Sequence, residues 1–128
     1  MENYVFNDLL IACADDCCVN RVKEIISSGI SVNQRTDAGC SPLMFAVMPN
    51  ECGDHNAPSA VMEMVITLID LGGNVKLRDK NQLSACDYAK LLVDSDWKDS
   101  FGYSVAELWD DEDKKTILDI IELLKTDL

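Results

Sequence analysis

The chain has 128 residues, 48% of them hydrophobic and 27% charged, with three prolines. That is the make-up of one soluble globular domain able to bury a core without disulfides or metals, which sets aside disordered and multi-domain readings. Twenty-three acids against eleven bases give a net charge of −12; such a surface repels phosphate backbones and anionic lipid, disfavouring nucleic acid and membrane surfaces and favouring a basic protein partner, although acidity also serves solubility alone.

No stretch nears the roughly 20 apolar residues of a membrane span. The start Met1-Glu2-Asn3-Tyr4 lacks the basic-then-apolar order of an export signal, so the expected location is cytoplasmic. Cys13, Cys17, Cys18, Cys40, Cys52 and Cys86 are unevenly spaced and are expected as reduced thiols, Cys13 and Cys86 serving as small core fillers.

In chain order, apolar spacing predicts helices over 4–14 and 19–28, the second with Val22, Ile25 and Ile26 as its buried stripe. Gly29 follows, where the chain must leave the helix in a conformation that glycine adopts cheaply. Ser41 is suited to cap the next helix and Pro42 to open it, since proline has no N–H to waste there; this helix is predicted over 42–48. A turn-rich polar run, 49–58, separates it from a helix over 59–71 with Val61, Met64, Val65, Leu68 and Ile69 at helical spacing. Gly72 ends that helix. Ser84 starts another over 84–93, a long segment spans 94–113, and a last helix is predicted over 114–125 with Ile117, Ile120, Ile121 and Leu124 facing inward.

The chain repeats itself. Gly29-Ile30-Ser31-Val32-Asn33-Gln34-Arg35 recurs loosely 43 residues later as Gly72-Gly73-Asn74-Val75-Lys76-Leu77-Arg78. At the same offset Gly39-Cys40-Ser41-Pro42-Leu43-Met44-Phe45-Ala46 aligns with Gln82-Leu83-Ser84-Ala85-Cys86-Asp87-Tyr88-Ala89. This pattern resembles the ankyrin-repeat family, whose helix start reads Thr-Pro-Leu-His-x-Ala. The first copy keeps a hydroxyl, the proline, the leucine and the alanine, with Met44 in place of His; the second keeps the hydroxyl and Ala89, with Asp87 at the His position.

The resemblance implies an all-α solenoid of paired antiparallel helices with short hairpin-like loops, in a single domain over 1–128 with repeats of approximately 4–38, 39–81 and 82–128. An ankyrin repeat is about 33 residues, so the longer offset implies an insertion of about ten, at 49–58; a second insertion is 94–113. The resemblance also places a partner on the curved face of loop tips and first helices: Thr36, Asp37, Ala38, Cys40 and Met48 in one repeat, and Asp79, Lys80, Asn81, Leu83 and Leu91 in the next.

The second insertion contains Asp94, Asp96, Asp99, Glu107, Asp110, Asp111, Glu112 and Asp113 with Lys98 as its one base. It fails as a calcium loop, because counting from Asp94 puts Lys98, Asp99 and Val105 where an oxygen ligand, a glycine and a glutamate are needed. Trp97, Phe101, Tyr103, Val105, Leu108 and Trp109 share the segment. Trp97 and Trp109 beside Asp110–Asp113 are candidate partner-binding residues, a hot spot for a basic protein; equally, the aromatics could pack the insertion down as a cap over the last repeat.

His55 and Cys52 could begin a zinc or thiol site, but a polar loop supplies neither the further ligands nor the placed base. No metal or cofactor is expected, and no phosphate loop, nucleophile elbow or paired-carboxylate constellation suggests an enzyme. The leading expectation is a stand-alone acidic binder that neutralises one basic protein, such as a toxin or nuclease, in the manner of an inhibitor or immunity protein. An ankyrin adaptor without inhibitory role is the alternative, and an enzyme using the inserted loops stands behind both.

Overall fold

A few capping residues decide where helices begin. In the computed structural model, which describes residues 4–49 and 55–125, these residues bound α1 (Phe6–Ala14), α2 (Val19–Ser27), α3 (Pro42–Val47), α4 (Pro58–Asp70), α5 (Ala85–Leu91) and α6 (Asp111–Leu124), with a 3-10 turn at Val105–Leu108. Ser41 Oγ accepts from the Met44 N–H (3.3 Å), and Pro42 opens α3. Ser84 Oγ accepts from the Asp87 N–H (3.2 Å), and the Asp87 carboxylate accepts from the Ser84 N–H (3.0 Å). That reciprocal box satisfies two backbone donors at once.

The last helix begins at Asp111 rather than at 114. Asp110 Oδ1 accepts from the Asp113 N–H (2.8 Å), and Asp111, Glu112 and Asp113 fill the first turn. The exposed N–H groups there carry partial positive charge, so four consecutive acids extend the helix backwards. The other ends lie within one or two residues of the predicted ones.

The helices pack as α1 with α2, α3 with α4 and α5 with α6; α3 lies between α1 and α5, and α4 contacts both α2 and α6. Leu9, Val22, Ile25, Leu43, Met44, Met64, Leu68, Ile117, Ile120 and Leu124 are fully buried. Each such side chain contributes about 1.5–3 kcal/mol by leaving water. Among the described residues there is no strand beyond an isolated bridge between Arg78 and Ser84, and no helix is long and apolar enough to cross a membrane. Cys13, Cys17, Cys18, Cys40 and Cys86 are free thiols, and burial pushes the Cys13 thiol up to about 12.

Gly29 and Gly72 leave α2 and α4 at φ +114° and +101°, the left-handed region where a β-branched side chain is strained. A Cβ at Gly29 would meet no other atom within 4 Å, so backbone strain alone opposes substitution there. Gly29→Val and Gly72→Val should each lower stability by about 1–3 kcal/mol in urea unfolding. Midpoints unchanged from the parent in both would refute this account of the helix ends.

Candidate protein-binding surfaces

Between helix pairs the chain makes tight fingers at 36–40 and 79–83. In the first, the Thr36 N–H donates to the Cys40 carbonyl (2.9 Å), the Gly39 N–H donates to the Thr36 carbonyl (2.8 Å), and Thr36 Oγ1 accepts from the Cys40 N–H (3.1 Å). In the second, Asp79 stands for Thr36. Its N–H donates to the Leu83 carbonyl (3.0 Å), its carbonyl accepts from Gln82 (2.9 Å), and its Oδ1 accepts from the Leu83 N–H (3.0 Å) and the Asn81 N–H (2.8 Å). Gln82 takes φ +68° where the first finger has Gly39.

The fingers are joined to each other. The Lys80 N–H donates to the Ala38 carbonyl (2.9 Å), and a Cβ at Gly39 would stand 3.1 Å from Asp79 Cα. Nearer the helices, Asn33 Nδ2 donates to the Gly72 carbonyl (3.0 Å) while its Oδ1 accepts from the Asn74 N–H (2.8 Å).

The geometry separates the residues of the expected partner surface by exposure. Asp79 and Cys40 are not at exposed tips: they are 4% and 7% exposed. Tyr88 Oη donates to Asp79 Oδ2, and Cys40 Sγ lies 3.9 Å from the same oxygen. A polar residue at a tight turn is expected to face solvent, but this carboxylate is taken up by the Asn81 and Leu83 N–H groups on one oxygen and by the Tyr88 hydroxyl and Cys40 thiol on the other. Burial pushes the Asp79 carboxyl up, yet the bonds from Tyr88, Leu83 and Asn81 outweigh it and hold the group below the ordinary carboxylate value. Burial and the bond to Asp79 push the Tyr88 phenol up.

Asp37 and Lys80 are exposed, and Leu83, Met48 and Leu91 are half-buried, with Phe45 and Tyr88 beside the latter two on the first helices. Arg35, Arg78 and Lys80 line the groove between the fingers with Asp37 and the buried Asp79. The finger face is therefore not acidic.

The acids and exposed aromatics are elsewhere. The finger pattern recurs inside the second insertion: the Asp99 N–H donates to the Tyr103 carbonyl (3.0 Å), the Gly102 N–H to the Asp99 carbonyl (3.0 Å), and Asp99 Oδ1 accepts from the Phe101 and Tyr103 N–H groups (2.9 Å each). In the sequence 99–103 shares only its leading aspartate with 79–83, too little to mark the turn. It presents Phe101 and Tyr103, 64% and 55% exposed, with Leu108 at 49%.

The tryptophans point the other way. Trp109 Nε1 donates to the Leu92 carbonyl (2.9 Å), and its ring meets the His55 ring edge-on at 5.8 Å. His55 belongs to the first insertion, whose Asn56 Nδ2 donates to the Ala14 carbonyl (2.6 Å). Trp97 is half-buried against the core. The two insertions thus meet each other and close one side of the stack, around an apolar hollow of only about 20 Å³. Asp110, Asp111 and Glu112 remain exposed and Asp113 is half-buried, all within the N-terminal end of α6. Cys52 lies outside the described residues; among those described, no three His, Cys, Asp or Glu side chains are grouped to hold a metal ion.

No protein-family model and no curated protein matches the chain. Among solved structures it is similar to an ankyrin repeat domain from Acinetobacter baumannii, with a TM-score of 0.55 and 20% identity over 90% of this chain. The chain spans about half of that structure, 46% of its length. The likeness shows that the fold is an ankyrin-repeat solenoid.

Asp79 carries the next prediction. Its folded pKa lies below the unfolded one, so its stabilisation is whole above the ordinary value of 3.8 and is lost as pH falls through the folded value. Asp79→Ala should remove about 3 kcal/mol by stranding backbone donors. Asp79→Asn should flatten the acid limb of a melting-temperature profile taken below pH 3.8. An acid limb identical to the parent's would show that Asp79 is not held ionised by these bonds.

Proposed function

We propose that this ankyrin-fold chain is a non-catalytic protein-binding module, cytoplasmic and acting without a cofactor, whose second insertion captures a basic protein partner and neutralises it. The observation that carries this reading is the braced turn at Asp99: three exposed apolar side chains, Phe101, Tyr103 and Leu108, stand among Asp94, Asp96, Asp99, Glu107 and Asp110–Glu112. Aromatic groups on a rigid turn give contact area with little ordering entropy, and the surrounding acids steer a basic partner into encounter. The finger face suits a basic partner less well, because Arg35, Arg78 and Lys80 stand there.

Trp97 and Trp109 serve this reading indirectly. They hold the insertion on the stack, and the pre-ordered turn presents the contacts without further ordering on binding. The role of Asp110–Asp113 is double, as charge for encounter and as the cap of α6. The hollow where the insertions meet, about 20 Å³, is too small to admit a small-molecule substrate between them.

The test is affinity capture from the source cells with identification of the retained protein, comparing the parent with Phe101→Ala/Tyr103→Ala and with Asp37→Ala/Lys80→Ala. The expected partner is basic, is lost or weakened about thirtyfold by the first pair, and is kept by the second. Replacing Asp96, Glu107, Asp111 and Glu112 by their amides should slow association and flatten its salt dependence with little change in dissociation. A partner lost with the finger pair and kept by the insertion pair would instead assign recognition to the finger face, as in a plain adaptor.

A further inference from the structure

Resting on the capture role assigned to the second insertion, we propose that its braced turn selects arginine: a guanidinium of the basic partner lies on the ring faces of Phe101 and Tyr103. The two aromatics are one residue apart, and both of their N–H groups donate to Asp99 Oδ1 (2.9 Å each), so the turn fixes the backbone that carries the rings. The side chains are 64% and 55% exposed. Leu108, which ends the 3-10 turn beginning two residues after Tyr103, is 49% exposed and offers apolar surface to the methylene stem of an arginine. Asp94, Asp96 and Glu107 stand exposed in the same insertion, and no ion pair among the described residues engages Asp96 or Glu107. Uncompensated acids around exposed rings concentrate cations there, and the negative ring faces then choose among them.

The fold makes such a contact in its own surface. Arg21 of α2 places its guanidinium carbon 5.6 Å from the centre of the Tyr4 ring, and the Tyr4 hydroxyl donates to Glu24 (2.6 Å). In the insertion the rings and the acids recur, and among the described residues its one base, Lys98, makes no such contact with Phe101 or Tyr103. The preference for arginine over lysine follows from hydration and shape. A guanidinium is planar and weakly hydrated, so it lies flat on a ring while its N–H edge stays open to water or carboxylates; an ammonium is compact and holds its water more tightly. The acids attract both cations alike, so any discrimination between them comes from the rings.

The experiment is a titration of the full ¹⁵N-labelled chain with three blocked peptides of equal length, alternating glycine with arginine, lysine or citrulline, at one ionic strength. The arginine peptide should move the amides of 101–108 saturably and bind at least about threefold more tightly than the lysine peptide, with no saturable shift from the citrulline peptide. Phe101→Leu/Tyr103→Leu keeps apolar surface and every acid; it should bring the two cationic peptides to equal affinity at an unchanged urea midpoint. Asp96→Asn/Glu107→Gln should weaken both cationic peptides and keep their ratio. Equal affinities in the parent, an arginine preference that survives in the leucine variant, a citrulline response equal to that of arginine, or shifts centred on 36–40 and 79–83 would each overturn the proposal. These outcomes are separate from the capture role, which fails if Phe101→Ala/Tyr103→Ala still retains the partner from cells.

Discussion

Helix pairs of this size cannot bury their apolar faces alone, so the structure depends on stacking in one register. The register is set where extended backbone from successive repeats runs side by side. Asn33 bonds across to Gly72 and Asn74, and the Lys80 N–H bonds to the Ala38 carbonyl. Once those segments are aligned, α3 lies between α1 and α5, α4 contacts α2 and α6, and Leu43, Met44, Met64 and Leu68 are buried in the middle layer. The buried carboxylate of Asp79 belongs to the same device: it shapes the second finger so that its backbone can approach Gly39.

The two departures from a regular repeat follow from that frame. Both insertions connect the helices of a pair, so both emerge where α3 and α5 end. There Trp109 and His55 meet, Trp109 is tied to Leu92, and Asn56 is tied to Ala14. The solenoid thus gains a closed side, and the second insertion gains a base rigid enough to present Phe101 and Tyr103. The fingers bear Arg35, Arg78 and Lys80 beside Asp37, whereas the second insertion bears most of its charge as acids.

Helix starts and stops were legible in the sequence because they rest on local chemistry: Ser41, Pro42 and Ser84 cap their own helices, and Gly29 and Gly72 take the conformation their position demands. Tertiary commitments were less legible. Asp110–Asp113 reads as a surface charge run, but Asp110 bonds the Asp113 N–H and moves the start of α6. Asp79 reads as a tip residue because burial depends on Tyr88, nine residues on. Trp97 and Trp109 attract attention by size, yet Phe101 and Tyr103 are the more exposed, since only the fold reveals which aromatic finds a neighbour.

Everything proposed for the second insertion requires that it be a built part of the stack rather than a solvated tail. Native-state amide hydrogen exchange measures this directly. The Phe101, Gly102 and Tyr103 amides, held by Asp99, should be protected well beyond free-peptide rates, and Trp109→Ala should release them while the Cys40 and Leu83 amides stay protected. Exchange at free-peptide rates in the parent chain would contradict a pre-formed docking turn.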